Sequence, residues 1–312
     1  MPITVFFNKF WPGFIDKTDI MDCTFFVKLL ESVYNVPITV SRTPDKADIL
    51  FESIFGNYSY LQYKKWNATI LYTGESDYAT TQNIESYDCV LGFEETRSNF
   101  VKCPLFLIFL LTNPSILKEL EIMERPVPSK IPPNNASIIL SNGYHGKERL
   151  VFFNTIKKEM TVFSGGKYEN NIGGGIPGSY NSNEMNEFYR RGKFAITMEN
   201  ADKPYYITEK LVNGLRAGVV PVYWGSSRVT EFFNPHRFIH LNSKPTNEER
   251  AKLIEQLKQM TDDEYIQIVR EPVFVRPIVD IYRELVTDVK KILYSSPLYS
   301  GQLPHNRTTT IP

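Results

Sequence analysis

The sequence predicts an α/β protein of two Rossmann-like, doubly wound domains facing each other across a cleft. Short apolar runs recur along the chain with helically spaced segments between them, the alternation that builds parallel sheets. Four prolines between Arg125 and Asn134 interrupt that series once, as a linker would. The 312 residues, 42% hydrophobic and 22% charged, supply material for two cores. These observations place an N-terminal domain at 1–125, a linker at 126–136 and a C-terminal domain at 137–294. The terminal helix of the second domain is free to pack back on the first, and a loose polar tail follows at 295–312.

In order, 3–7 reads as a strand running into an aromatic loop that contains Trp11. Residues 23–34 have helical spacing, with Phe26, Leu29, Leu30 and Val33 on one face. Strands follow at 36–40, 48–51, 68–73 and 87–93, the last ending in Glu94 and Glu95. Ligands of open α/β sheets bind beyond the carboxyl ends of the strands. Trp11, Glu75, Glu94 and Glu95 all fall there. The second half opens with a strand at 137–140, then Ser141-Asn142-Gly143 and a helix at 148–159 with Arg149 near its start. A strand at 160–164 leads into a glycine-rich turn and a short helix at 184–191. After the stretch 193–225 come a short helix capped by Ser226 or Ser227, a strand at 237–241, and amphipathic helices at 247–260 and 261–270. A long helix at 278–294 carries Ile278, Ile281, Leu285, Val289 and Ile292 on one face.

The stretch 193–225 organises the second half. A strand at 194–198 ends in Glu199-Asn200, Thr208 caps a helix, Gly218 ends it, and a strand at 219–223 stops at Gly225. Such a unit predicts a right-handed crossover between parallel strands. Lys210 stands in the first helical turn, against a dipole that favours anions there. A bound anion at that end would account for it. Gly214, inside the helix, costs about 1 kcal/mol against Ala, which close approach of another group would explain. A surface Glu-Lys pair and a tolerated glycine account for both details equally well.

Met198-Glu199-Asn200, Tyr206-Ile207-Thr208-Glu209-Lys210-Leu211 and Gly218-Val219-Val220-Pro221-Val222 with Gly225 together resemble the α1,3-fucosyltransferases, with the spacing of the bacterial members. Met198 replaces the family's usual Phe, and Tyr205 stands where the family often has Asp. The resemblance covers most of 66–242. Tyr72-Thr73-Gly74-Glu75, Gly92-Phe93-Glu94-Glu95 and Pro104-Leu105 look like its acceptor-side motifs. Ser141-Asn142 followed by Arg149 looks like its first donor-site motif, one residue longer than in some members.

This resemblance implies a GT-B fold and transfer of L-fucose, with inversion, from GDP-fucose to a glycan of galactose and N-acetylglucosamine, at O3 of the latter. It places Asn142, Arg149, Asn200, Tyr206, Glu209 and Lys210 at the donor, Glu209 beside the charge developing on the fucose ring, and Glu95 as catalytic base. Trp11, Glu75 and Glu94 are the acceptor-side candidates. Chain geometry alone does not choose between Glu94 and Glu95, which point to opposite sides of an extended backbone.

The chemistry is compatible. A carboxylate base takes the acceptor proton, and cations stabilise the departing diphosphate. Arg149 and Lys210 suit that task, Arg through a two-pronged donor and Lys as a point charge. Tyr206, Glu209 and Lys210 have the spacing of one helical face. No cofactor is expected and no metal is assigned, a divalent cation being at most stimulatory. The sequence has no Asp-x-Asp clamp, Asp262-Asp263-Glu264 reads as a helix start, and the four histidines lack ligand spacing. Rival readings are transfer of another nucleotide-activated deoxysugar, or a glycan-binding relative without activity.

Lys plus Arg equal Asp plus Glu at 35 each, so no net charge recruits nucleic acid or anionic lipid. Three cysteines, Cys23, Cys89 and Cys103, show no framework spacing and predict reduced thiols. With no transmembrane or signal segment read in the sequence, the expected location is cytoplasmic, with at most loose membrane association. Asn57, Asn67, Asn135 and Asn306 fit the glycosylation pattern and are read as chance.

Overall fold

The computed structural model describes residues 2–76, 84–93, 97–123, 125–144, 146–178 and 181–295. The chain divides into two compact units, one of Met1–Lys102 with Tyr282–Pro312, the other of Cys103–Ile281.

The first unit contains β1 (Ile3–Asn8), α1 (Thr24–Tyr34), β2 (Ile38–Ser41), β3 (Ile49–Glu52), β4 (Ala68–Tyr72), β5 (Cys89–Gly92) and β6 (Phe100–Lys102). Its six strands form one sheet in the order β2-β1-β3-β4-β5-β6. Every neighbouring pair is parallel. β3, β4 and β5 are buried along their whole length. Central strands of a parallel sheet are covered on both faces, so they read as unbroken apolar runs. α1 buries Phe25, Phe26, Leu29, Leu30 and Val33, and the Phe26 ring lies 4.8 Å from that of Phe51 on β3. The helix stops at Asn35, which adopts a left-handed φ of 54° and returns its N–H to Glu31 O.

At the end of β3 a fully buried carboxylate, Glu52, organises the segment that follows. It accepts from Asn8 Nδ2 at 2.5 Å, Ser59 Oγ at 2.6 Å, the Tyr60 N–H at 2.8 Å and the Tyr87 hydroxyl at 2.5 Å. These bonds tie the segment to β1 and to Tyr87. All three cysteines are buried.

The second unit contains α2 (Leu105–Thr112), α3 (Pro114–Leu120), β7 (Ala136–Ile138), α4 (Lys147–Glu159), β8 (Val162–Ser164), α5 (Asn183–Tyr189), β9 (Phe194–Ile196), α6 (Glu209–Arg216), β10 (Val220–Tyr223), β11 (Ile239–His240), α7 (Asn247–Gln259) and α8 (Asp262–Arg270). Its five strands are again parallel, in the order β11-β10-β9-β7-β8. The core gathers Ile138, Phe152, Phe194, Val222, Leu257 and Tyr265. Thr246 with Glu249, and Thr261 with Glu264, close capping boxes at the starts of α7 and α8. The acidic run 262–264 therefore begins a helix, as its position after Thr261 predicts.

The boundary between units lies earlier than the prolines imply. Residues 103–125 pack within the second unit, because α2 is apolar on every side and needs full burial. The Phe106 N–H donates to Ile207 O at 3.0 Å, and its ring meets Phe233 at 4.8 Å. Arg216 Nε reaches Glu119 Oε2 at 3.0 Å. The proline-rich stretch is a strap fixed to the same unit. Pro133 O accepts the Lys193 N–H, and Asn134 Nδ2 donates to the carbonyls of Leu257, Lys258 and Met260.

The last helix, α9 (Ile278–Ser295), joins the first unit from Tyr282 onward. The Tyr282 hydroxyl lies 3.0 Å from Ser32 Oγ, and its ring meets Phe25. Among the described residues no helix is long and apolar enough to cross a membrane.

Candidate active site

In the second unit the carboxyl ends of β7, β9 and β10 lie side by side, and three loops leave from them. The loop after β9 continues extended for a few residues. Thr197 N–H reaches Val222 O at 2.9 Å and Glu199 N–H reaches Trp224 O at 2.8 Å. That pairing delivers Glu199 into the interior, where it has no exposed surface. Gly225 makes the space, since a Cβ on it would stand 2.6 Å from Glu199 Cγ.

The chain then turns at Tyr205, a non-glycine residue with φ of 58°, whose N–H is held by Ser226 Oγ at 3.0 Å. Left-handed backbone is tolerated best by Gly, Asn and Asp. That requirement gives a physical reason for the family's frequent Asp here, and Tyr205 bears the strain. Thr208 caps α6, its hydroxyl accepting the Lys210 N–H. The same hydroxyl donates to Glu199 Oε2 at 2.8 Å, and the Thr208 N–H donates to Oε1 at 2.8 Å.

The Lys210 ammonium stands 3.4 Å from Glu199 Oε2, 3.7 Å from Glu209 Oε1 and 3.1 Å from Thr208 Oγ1. The side chains of Lys210 and Glu209 are 24% and 17% exposed, so this cluster meets solvent on one side. From α4, buried Arg149 donates through Nη1 to Asn200 Oδ1 at 2.9 Å. Asn142, on the loop after β7, accepts the Tyr144 N–H in a local turn at 3.4 Å.

The electrostatics follow from burial. Desolvation pushes the Glu199 carboxyl up from its ordinary pKa, against the pull of Lys210. Desolvation works against the Lys210 ammonium too, but Glu209, Glu199 and Tyr206 outweigh it and hold the pKa above the usual lysine value. Burial lowers Arg149, with Glu199 and Tyr206 pulling it back. Burial and the neighbouring Glu199 drive the Tyr223 hydroxyl well above its usual range.

The structure therefore brings Arg149, Asn200, Glu209 and Lys210 together, with Tyr206 beside them and Asn142 on the same sheet edge. The close approach expected at Gly214 comes from the sheet, since a Cβ on it would lie 2.8 Å from Thr197 Cγ2 and 3.3 Å from Pro221 Cγ. Two details differ from the sequence reading. Tyr206 precedes α6 and is not on one helical face with Glu209 and Lys210, because Thr208 is the cap. The anion that Lys210 faces is supplied by the protein itself, as Glu199. The sequence reading passed over Glu199 as a site residue. Its signal was an acid at the end of an otherwise apolar run, eleven positions before the lysine at the start of α6.

In the first unit, Trp11 follows β1 and Glu75 follows β4, both beyond carboxyl ends of the sheet. The Trp11 indole N–H donates to Met21 O at 3.0 Å, and its ring packs edge-on against Phe14 and Phe55. Glu75 is exposed. Glu94 and Glu95 lie outside the described residues.

Two parallel-sheet α/β units with a polar cluster at the carboxyl ends of the strands define a GT-B fold. Residues 132–270 match the model of the family described as glycosyltransferase family 10 (fucosyltransferase), C-terminal part. The resemblance read from the sequence is borne out over that stretch.

The chain is similar to the alpha-(1,3)-fucosyltransferase FucT of Helicobacter pylori, 25% identical over 70% of this chain and 50% of that protein. It is also similar to the human 4-galactosyl-N-acetylglucosaminide 3-alpha-L-fucosyltransferase 9, 26% identical over 52% of this chain and 41% of that one. It thus spans about half the length of these curated relatives or less. Among solved structures, an α1,3-fucosyltransferase with GDP-fucose superposes with a TM-score of 0.68 at 18% identity, covering 98% of this chain and 93% of that one. Its fold is shared.

Proposed function

We propose that this chain is an inverting glycosyltransferase that moves L-fucose from GDP-fucose to O3 of N-acetylglucosamine in a galactose-containing glycan. The observation that carries the reading is the cluster of Arg149, Asn200, Glu209 and Lys210 at the sheet edge of the segment that matches the fucosyltransferase family. The names of the two relatives support the fucose donor and, for the human one, the acceptor.

In this mechanism the acceptor oxygen attacks the anomeric carbon of fucose as the bond to the β-phosphate oxygen breaks. Glu95 takes the acceptor proton. Arg149 and Lys210 receive the charge that gathers on the diphosphate, and Glu209 stabilises the positive charge on the sugar ring. Asn142, Asn200 and Tyr206 orient the donor, while Trp11, Glu75 and Glu94 serve the acceptor. These cations neutralise the leaving group, so transfer is metal-independent.

The test is GDP release from GDP-fucose in the presence of a galactose–N-acetylglucosamine disaccharide. Release that needs both substrates supports the reading. Turnover of a different nucleotide sugar only, or glycan binding without turnover, replaces it with one of the two rivals.

A further inference from the structure

Lys210, one of the two cations assigned to the diphosphate, already stands between two carboxylates. Arg149 and Lys210 bring two positive charges, and Glu199 and Glu209 bring two negative ones within 3.7 Å of the Lys210 ammonium. Among the described residues these four charges sum to zero, so together they offer an incoming diphosphate no excess of positive charge. It also meets the Glu199 carboxylate, which is fully buried and cannot swing out to water. Uncompensated charge in such a place is costly.

We propose that Glu199 is the internal counter-ion of this site, and that it takes up a proton when a nucleoside diphosphate binds, releasing Lys210 to the phosphates. The inference rests on the donor-site reading above.

The geometry accommodates a neutral Glu199. The Thr208 N–H keeps its bond to Oε1 in either state. A hydroxyl both donates and accepts, so Thr208 Oγ1, now donating to Oε2, accepts the new carboxylic proton instead. Lys210 Nζ at present donates to that hydroxyl, and its departure to the phosphates frees the lone pair. Burial already favours the neutral acid, and a second anion nearby favours it further. The other charged or titratable groups around Glu199 are Lys210 and Glu209 from α6, Arg149 from α4, Tyr206 before α6, and Tyr223 on β10 with Asp202 beyond it.

The sign is specific. Between the pKa of Glu199 in the free site and its higher value in the complex, binding consumes a proton. The Kd therefore rises with pH there, by up to about tenfold per unit. A phosphate that gains cationic partners shifts the opposite way and releases a proton. Phosphate monoester groups titrate at about pH 6, so protons consumed above that come from the protein side.

Calorimetric titration with GDP, in buffers of different ionisation enthalpy between about pH 6 and 8, reads the protons exchanged. The wild type is expected to take up protons. Glu199→Gln, whose amide imitates the neutral acid, is expected to bind GDP at least as tightly at the upper end of the range, with no uptake and no such slope. No net uptake in the wild type, or binding about tenfold weaker in Glu199→Gln, makes Glu199 a fixed structural counter-ion and overturns the inference while the donor site stands. Uptake that persists in Glu199→Gln assigns the proton elsewhere and overturns it too. Failure of the wild type to bind GDP removes the donor site and the inference together. If Glu199→Gln does not fold, Thr208→Val decides. Losing the acceptor for the acid proton is expected to reduce uptake, and unchanged uptake overturns the proposal.

Discussion

Glu52 and Glu199 are both fully buried carboxylates at the carboxyl edge of a parallel sheet, one in each unit. Their partners differ. Glu52 takes its hydrogen bonds from neutral donors, two side-chain hydroxyls, an amide and a backbone N–H, with the Lys9 ammonium near enough to interact with it electrostatically. Glu199 has the hydroxyl and N–H of one residue and shares its charge with Lys210, which remains partly open to solvent. A carboxylate satisfied by neutral donors holds a loop in place and offers nothing to a ligand. A carboxylate that shares a half-open cation holds something a second anion competes for. The difference separates architecture from a candidate site when burial alone does not.

The comparison breaks hardest if the reacting carboxylate behaves like either of these. The proposed base is a third, Glu95. Glu95→Gln keeps the size but cannot accept the proton, so turnover is expected to fall about 10²–10⁴-fold with GDP affinity unchanged, and Glu94→Gln to lose much less. Near-normal turnover in Glu95→Gln, or a collapse confined to Glu94→Gln, ends that assignment. Next in size, Glu52→Ala strands several buried donors, each worth about 1–3 kcal/mol. Denaturant unfolding should show a loss of about 3 kcal/mol or more, with GDP affinity retained in the protein that remains folded. A matching loss of GDP affinity would erase the distinction between the two carboxylates.

Arg149→Ala and Lys210→Ala sharpen the other side of the comparison. Each removes a charge-assisted contact worth about 1.5–3 kcal/mol, so GDP titration should show weaker binding by a similar amount with the fold intact. Wild-type affinity in both variants would mean that the cations serve only Glu199. The smallest expected effect is that of a chelator. Excess chelator should leave most of the transfer rate, and full loss restored by a divalent cation would put a metal where Lys210 and Arg149 are proposed to act.

The sheet-forming elements were legible in the chain because local pattern and burial agree there. Strands such as 48–51 and 68–73 are apolar in sequence and buried on both faces in space, and helices start after Thr208 and Thr261 as the sequence predicts. The division between the two units falls before α2, which is apolar all round and has no amphipathic face to say which core it joins, and the prolines read as a linker run into Asn134, which is tied to the end of α7. β6, Phe100–Lys102, buries only its central residue and ends on a lysine, so no apolar run marks it. Within the site, motif and cap placed Arg149, Asn200 and Lys210. The role of Glu199 was hidden because a carboxylate beside Asn200 reads the same in sequence whether it points to water or inward. Only the pairing of Glu199 N–H with Trp224 O and the space left by Gly225 decide its direction.

The placement of α9 bears on the order of events during synthesis. The second unit is one uninterrupted segment, Cys103–Ile281, whereas the first needs Tyr282 and beyond to complete its packing on Phe25 and Ser32. Ser32 and Tyr282 are 250 positions apart, and closing so distant a contact comes late for entropic reasons as well. Domains ordinarily fold in the order they leave the ribosome. The unit that emerges first is therefore expected to complete its packing last, since Phe25 and Ser32 on α1 gain their partner Tyr282 only after the whole of the other unit has been made.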